Sequence, residues 1–134
     1  MKVCITGATG FIGTNLAIEF NKQSKYEIFG TYNEKEPHKF IKKENWIKIN
    51  LKDSIDKQKN LFSGFDIVVM CAAVSSGAKN IIQKPEIFVA DNTLINQNTI
   101  INCVNAQVKH VIFPSCSIMY QSSESIQNEN DVNL

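Results

Sequence analysis

Lys2-Val3-Cys4-Ile5-Thr6-Gly7-Ala8-Thr9-Gly10-Phe11-Ile12-Gly13 decides the fold of this chain. Its first five residues carry a short apolar run, Val3-Cys4-Ile5, and read as a buried strand. Three glycines follow at a spacing of three. Leu16, Ala17 and Phe20 then continue as an apolar-periodic segment, the mark of a helix packed on one face. Strand, tight turn and helix in this order are the context that a dinucleotide-binding glycine motif needs. Gly7 allows a sharp turn with no Cβ in the way. Gly10 allows backbone to approach a pyrophosphate, and Gly13 allows the helix to pack closely on the strand. The free N–H groups of the first helical turn then face the phosphates.

Downstream of this unit strands and helices follow one another, with a polar, lysine-rich surface connection over 37–45 between the second and third strands. Strands are expected at 26–31, 46–49, 67–71 and 109–113, and helices at 12–22, from Asp53 or Ser54 to about Phe62, and from Pro85 to about Ala106. Asp53 is expected to cap the second of these helices. Ile67-Val68-Val69-Met70-Cys71 is continuously apolar, as a central strand of a parallel sheet covered on both faces must be. In the third helix Ile87, Val89, Leu94, Ile95, Ile100, Ile101 and Val104 are expected to form the core face. Asp91, Asn92, Asn96 and Asn98 interrupt it, and asparagine is a poor helix former that asks for a reason. The pattern implies an α/β fold, a Rossmann-like doubly wound parallel sheet. One domain over 1–134 is expected, with 121–134 as a flexible tail.

Composition narrows the function classes. The chain is 43% hydrophobic and 20% charged, which is ordinary for a soluble globular domain. A formal net charge of +1 gives no footprint for nucleic acid or for a membrane surface. All the basic residues are lysine, so the planar fork of arginine is missing from any phosphate site. Cys4, Cys71, Cys103 and Cys116 show no close paired spacing. They read as reduced thiols of a cytoplasmic protein, and no metal site is expected.

Two segments carry a family resemblance. Thr6-Gly7-Ala8-Thr9-Gly10-Phe11-Ile12-Gly13 resembles the opening of the extended short-chain dehydrogenases, the sugar-nucleotide epimerases, dehydratases and reductases. Pro114-Ser115-Cys116-Ser117-Ile118-Met119-Tyr120 resembles the Ser-Ser-Ser-x-x-Val-Tyr segment of the same family, its fucose-synthase-like branch included. The resemblance implies NADP or NAD as cofactor and a nucleotide sugar, GDP-linked or other, as substrate. It implies the strand order 3-2-1-4-5, hydride transfer to or from a sugar carbon, and a homodimeric parent protein.

Residue by residue, the resemblance implies cofactor contacts at Gly7, Thr9, Gly10, Phe11, Ile12 and Gly13. It adds Thr31, Asn33 and Lys35 at the exit of the second strand, Asn50 and Leu51 after the third, and Cys71, Ala72 and Ala73 after the fourth. Asn92, with Asn96, is implied as support beneath these loops. No acid stands right at the end of the second strand, where it would take the ribose hydroxyls of NAD; Glu34 and Glu36 come a little later. That absence leans toward NADP, with Lys35 as the only nearby cation for a 2′-phosphate. Ser75, Ser76 and Lys79 are substrate-side candidates.

The catalytic hydroxyl position falls on Cys116, a departure from the family, and Ser117 beside it is the alternative. No Tyr-x-x-x-Lys pair occurs in the sequence, so the chain reads as the N-terminal portion of a longer enzyme that binds cofactor better than it catalyses. A non-catalytic dinucleotide-binding module is the competing reading, and a flavin-binding reductase is a third.

Overall fold

The computed structural model describes residues 1–75, 82–115 and 120–131. Five strands, β1 (Lys2–Thr6), β2 (Glu27–Tyr32), β3 (Trp46–Lys48), β4 (Ile67–Met70) and β5 (His110–Ile112), form one sheet. All neighbours run parallel, in the order β3-β2-β1-β4-β5. Helix α1 spans Phe11–Asn21 and helix α2 spans Pro85–Asn105. The architecture is the doubly wound one expected, with strand ends shifted by a residue or so.

Alternation along the strands divides the core between the two sheet faces. Val3 and Ile5 of β1, Ile28 of β2 and Ile67 and Val69 of β4 point to the α1 side, where Ala17, Leu16 and Phe20 meet them. Cys4, Val68 and Met70 point the other way, onto Phe62 and onto Cys103 of α2. Val3 pairs with Ile67 and Cys4 with Val68, so the in-register pairing puts both odd-numbered sets on one face. At the end of the sheet away from the glycine turn, Asp66 ties three segments together. One carboxylate oxygen accepts the Lys2 N–H at 2.9 Å and the other pairs with Lys109 Nζ at 2.8 Å.

Two expectations fail. The helix expected from Asp53 to Phe62 is only a 3-10 turn over Ile55–Gln58. Neither Asp53 nor Ser54 caps it through its side chain. Asn60 adopts a positive φ of 63°, which stops any helix there, and Gln58 is buried on bonds to the preceding loop.

The second failure is the core face of α2: of its expected residues with described side chains only Ile95 is buried, and the others face out. Val89 and Val104 are 67% and 69% exposed, and Leu94, Ile100 and Ile101 are exposed with them. Ile87 lies outside the described side chains. The buried stripe is Ile95, Asn98, Thr99, Asn102 and Cys103, with Asn98 and Asn102 only 6% and 4% exposed. At the free edge of the sheet Val111 and Ile112 of β5, with Phe113 after it, are also exposed.

Candidate dinucleotide site

The glycine turn is built as its residue types require. Gly7 has a φ of +61°, and a Cβ on it would lie 2.6 Å from Ala72 Cα at the exit of β4. Only glycine satisfies both demands. A Cβ on Gly13 would lie 2.6 Å from the Gly7 carbonyl oxygen and 2.7 Å from Ala8 Cα, so the first turn of α1 sits directly on the loop. Gly10 differs: a Cβ there would meet only the Gly7 oxygen, at 3.2 Å. The rest of the space beside Gly10 is open, a cradle into which backbone N–H groups of α1 face without a side-chain cap.

Threonines lock the turn to its neighbours. Thr31 Oγ1 accepts the Gly7 N–H at 3.0 Å and the Thr31 carbonyl accepts the Ala8 N–H at 3.0 Å. Thr6 Oγ1 accepts the N–H groups of Cys71 and Ala72 at 3.1 and 3.2 Å. Thr14 Oγ1 donates to the Ala8 carbonyl at 3.1 Å, and His38 Nε2 lies 3.0 Å from the same oxygen. His38 Nδ1 accepts the Phe40 N–H, so Nε2 carries the proton that meets Ala8.

These contacts frame a cleft of about 380 Å³ at the carboxyl ends of β1, β2 and β4. It opens where the strand order reverses, the position at which doubly wound sheets take their ligands. Of the residues expected from sequence, Gly7, Thr9, Gly10, Thr31, Asn33, Lys35, Asn50, Leu51, Cys71, Ala72 and Ala73 line it. Gly13 lies beneath it, and Phe11 and Ile12 stand out in solvent at 86% and 52% exposure. Asn92 holds a wall instead of lining it. Its Oδ1 accepts the Val74 N–H at 2.8 Å and its Nδ2 donates to the Val74 carbonyl at 3.0 Å. Asn96 is half-buried one turn further along α2.

Tyr32, Glu34, Ile49, Lys52, Val74 and Ile95 also line the cleft and were not among the site residues expected. The exit position of Tyr32 and Glu34 was the available signal. β2 runs on to Tyr32, so Glu34 comes only two residues after the strand. Ile95 carries no local signal, since only the sheet and α2 together bring it there.

Lys52 pairs with Asp91 of α2 at 2.8 Å, and Asn50 Oδ1 accepts the Lys52 N–H at 3.1 Å. Cys71 is half-buried, and burial pushes its thiol up to about 11, so it is a neutral wall group at neutral pH. Cys4, Cys71 and Cys103 are free thiols. Ser75 is exposed beside the cleft. Cys116, Ser117, Ser76 and Lys79 lie outside the described residues.

A glycine cradle, a polar wall after β2 and a small-residue wall after β4 together fit an extended dinucleotide. The family model described as "NAD dependent epimerase/dehydratase family" matches residues 3–134. This chain belongs to that family. Protein CapI of Staphylococcus aureus is 28% identical over 136 residues, covering 93% of this chain and 40% of the relative. The solved structure of MoeE5 in complex with UDP-glucose and NAD is 27% identical with a TM-score of 0.74, covering 98% of this chain and 42% of that one. UDP-glucuronic acid 4-epimerase from Bacillus cereus, in complex with UDP-glucuronic acid and NAD, shares the fold at 21% identity and a TM-score of 0.78, over 100% and 46% of the two chains. The chain thus spans about 40% of the length of the curated relative it matches. Among the described residues no helix is long and apolar enough to cross a membrane.

Proposed function

We propose that this chain is the NAD-binding portion of an enzyme that epimerises, dehydrates or reduces a nucleotide sugar. The observation that carries the reading is the glycine-turn cleft at the strand-order reversal, with Gly10 open to a ligand and Gly7 locked against Ala72. NAD, when bound, supplies a hydride acceptor and donor for a sugar carbon. The residues of this chain bind and orient it. The Gly7–Gly13 turn takes the diphosphate, Asn33 to Lys35 the adenosine ribose, Asn50 and Leu51 the adenine side, and Cys71 to Val74 the wall toward the nicotinamide.

Glu34 in the cleft wall favours NAD over the NADP expected from sequence, since a carboxylate accepts from both ribose hydroxyls and repels a 2′-phosphate. MoeE5, crystallised with NAD and a UDP-sugar, supports the same cofactor. It also supports a uridine nucleotide over the GDP-sugar of the fucose-synthase branch. In this reading Cys116, or Ser117 beside it, occupies the position that hydrogen-bonds the substrate oxygen. The protein is cytoplasmic, and a second copy covers the aliphatic outer face of α2.

The test is calorimetric titration with NAD and NADP, followed by incubation of the full protein with NAD and UDP-glucose, UDP-glucuronic acid or a GDP-sugar. NAD is expected to bind more tightly than NADP, and the sugar product is expected from a UDP-sugar. Stronger NADP binding overturns the role of Glu34. Bound NAD with no turnover on any nucleotide sugar favours the second reading, a non-catalytic dinucleotide-binding module. Cys116 at the catalytic hydroxyl position is the sequence feature that supports it. If turnover is found, Cys116→Ala is expected to lower kcat with NAD affinity unchanged; loss from Ser117→Ala alone assigns the role to Ser117.

A further inference from the structure

Two buried amides converge on one short turn, and a third braces them. Asn98 Nδ2 donates to the Leu51 carbonyl at 2.8 Å and to the Asp53 carbonyl at 2.9 Å. Gln58 Nε2 donates to the same two oxygens, at 3.1 and 2.7 Å. Asn102 Nδ2 braces the pair from below, donating to Gln58 Oε1 at 3.1 Å and to the Asn98 carbonyl at 3.0 Å. A primary amide has two N–H groups, so every donor of the three side chains is used. Among the described residues no buried side-chain polar atom lacks a partner.

The turn these amides hold is a wall of the cleft, since Asn50, Leu51 and Lys52 line it. The opposite wall is held by the same helix, because Asn92 clasps Val74 through both its backbone groups. Ile95 lines the cleft between them. Positions 92, 95 and 98 follow one another at the three-residue spacing that keeps side chains on one stripe of a helix.

We propose that α2 is a gauge that fixes the separation of the two cleft walls, with Asn98, seated by Gln58 and Asn102, as the positioning residue for the adenine-side wall. The inference rests on the dinucleotide reading of the cleft. A purely structural stripe would be aliphatic: asparagine is a poor helix former, and Val89, Ile100, Ile101 and Val104 of α2 stand on the exposed side while amides take the buried one beside Ile95. Amides cost helix propensity but fix a loop in one place, because each hydrogen bond holds only over a narrow range of distance and angle. Asn50 Oδ1 is engaged by the Lys52 N–H, so its amide nitrogen is the donor it has left for a ligand.

The experiment compares Asn98→Leu and Asn102→Leu with Cys103→Ala, a buried change on the same helix at a side chain of the apolar cluster that takes part in none of these hydrogen bonds. Three quantities are read: amide hydrogen exchange at 50–54 without ligand, melting temperature, and affinity for ADP-ribose. Both leucine variants are expected to speed exchange at Lys52 and Asp53. They should weaken ADP-ribose by roughly tenfold, the cost of ordering the wall on binding. Cys103→Ala should lower the melting temperature with exchange at the turn and affinity unchanged. Affinity that stays at the wild-type level in both leucine variants, or falls equally in Cys103→Ala, overturns the gauge. Unchanged exchange with intact wild-type binding overturns it as well. Wild-type protein that binds no ADP-ribose removes the dinucleotide reading and the gauge with it.

Discussion

Alanine at three glycines separates backbone strain, steric overlap and ligand clearance. At Gly64 φ is +80° and no atom lies within 4 Å of an added Cβ. Gly64→Ala therefore costs only the left-handed backbone, about 1–2 kcal/mol. Gly7→Ala costs the same strain, since φ is +61°, and adds an overlap of Cβ with Ala72 Cα at 2.6 Å. Overpacking against backbone adds about 1–3 kcal/mol, for a total of about 2–5 kcal/mol. A domain of this size loses roughly 3–4 °C of melting temperature per kcal/mol. Gly64→Ala is thus expected to fall by about 3–8 °C and Gly7→Ala by about 6–20 °C. Gly10→Ala is the opposite case. Its φ of −78° suits alanine, and its Cβ meets only the Gly7 oxygen at 3.2 Å. It should lose at most about 1 kcal/mol, the preference for glycine over alanine at a helix N-cap. Its NAD affinity should collapse, because the methyl group stands in the cradle. Differential scanning fluorimetry and NAD titration on the three variants suffice. If Gly7→Ala melts no lower than Gly64→Ala, the turn is not seated on Ala72. If Gly10→Ala binds NAD like the wild type, the pyrophosphate does not lie over Gly10.

Asn92→Leu removes both bonds to Val74; stability should fall by about 1–2 kcal/mol, because the half-buried groups regain water, and NAD binding should weaken, as titration will read. Asp66 is held below the usual carboxylate range by the Lys109 hydrogen bond first and the Lys2 N–H second. A depressed carboxyl stabilises above its unfolded pKa and loses that contribution as pH falls through its folded value, so the melting gap between wild type and Asp66→Asn should be open at neutral pH and close below about pH 4. Cys71, raised to about 11 by burial, should alkylate slowly at neutral pH and faster as pH rises toward 11, with NAD protecting it; peptide mapping reads the site, and fast labelling at neutral pH refutes the buried thiol.

Much of this was legible in sequence because it is local. The apolar run Val3-Cys4-Ile5 with glycines close behind it has few readings, and each glycine reports a demand that its own neighbours impose. The succession of strands and crossovers made a parallel sheet legible in the same way, since parallel neighbours require a crossover between them, and the strand order came with the family resemblance. The β2 exit was nearly legible. The strand continues through Thr31 and Tyr32, so the acid lies closer to the strand end than its place in the sequence suggested.

The buried face of α2 was not legible, and the reason is physical. Hydrophobicity ranks valine and isoleucine above asparagine, so any periodicity argument turns the aliphatic stripe of α2 inward. That ranking assumes that a buried amide is unpaired. Here the partners of Asn98 are carbonyls 47 and 45 residues away, and that of Asn102 is 44 away. Once those bonds exist, burial of the amide costs little. The same long-range bonds explain the missing helix at 53–62. Gln58 would have to leave Leu51 and Asp53 to continue an α-helix, and Asn60 has already turned the backbone left-handed. The α1 face of the sheet follows the rule that apolar side chains go inside, and there sequence and structure agree. The α2 face is organised by hydrogen bonds between segments far apart in the chain, and there only the folded structure tells which stripe is buried.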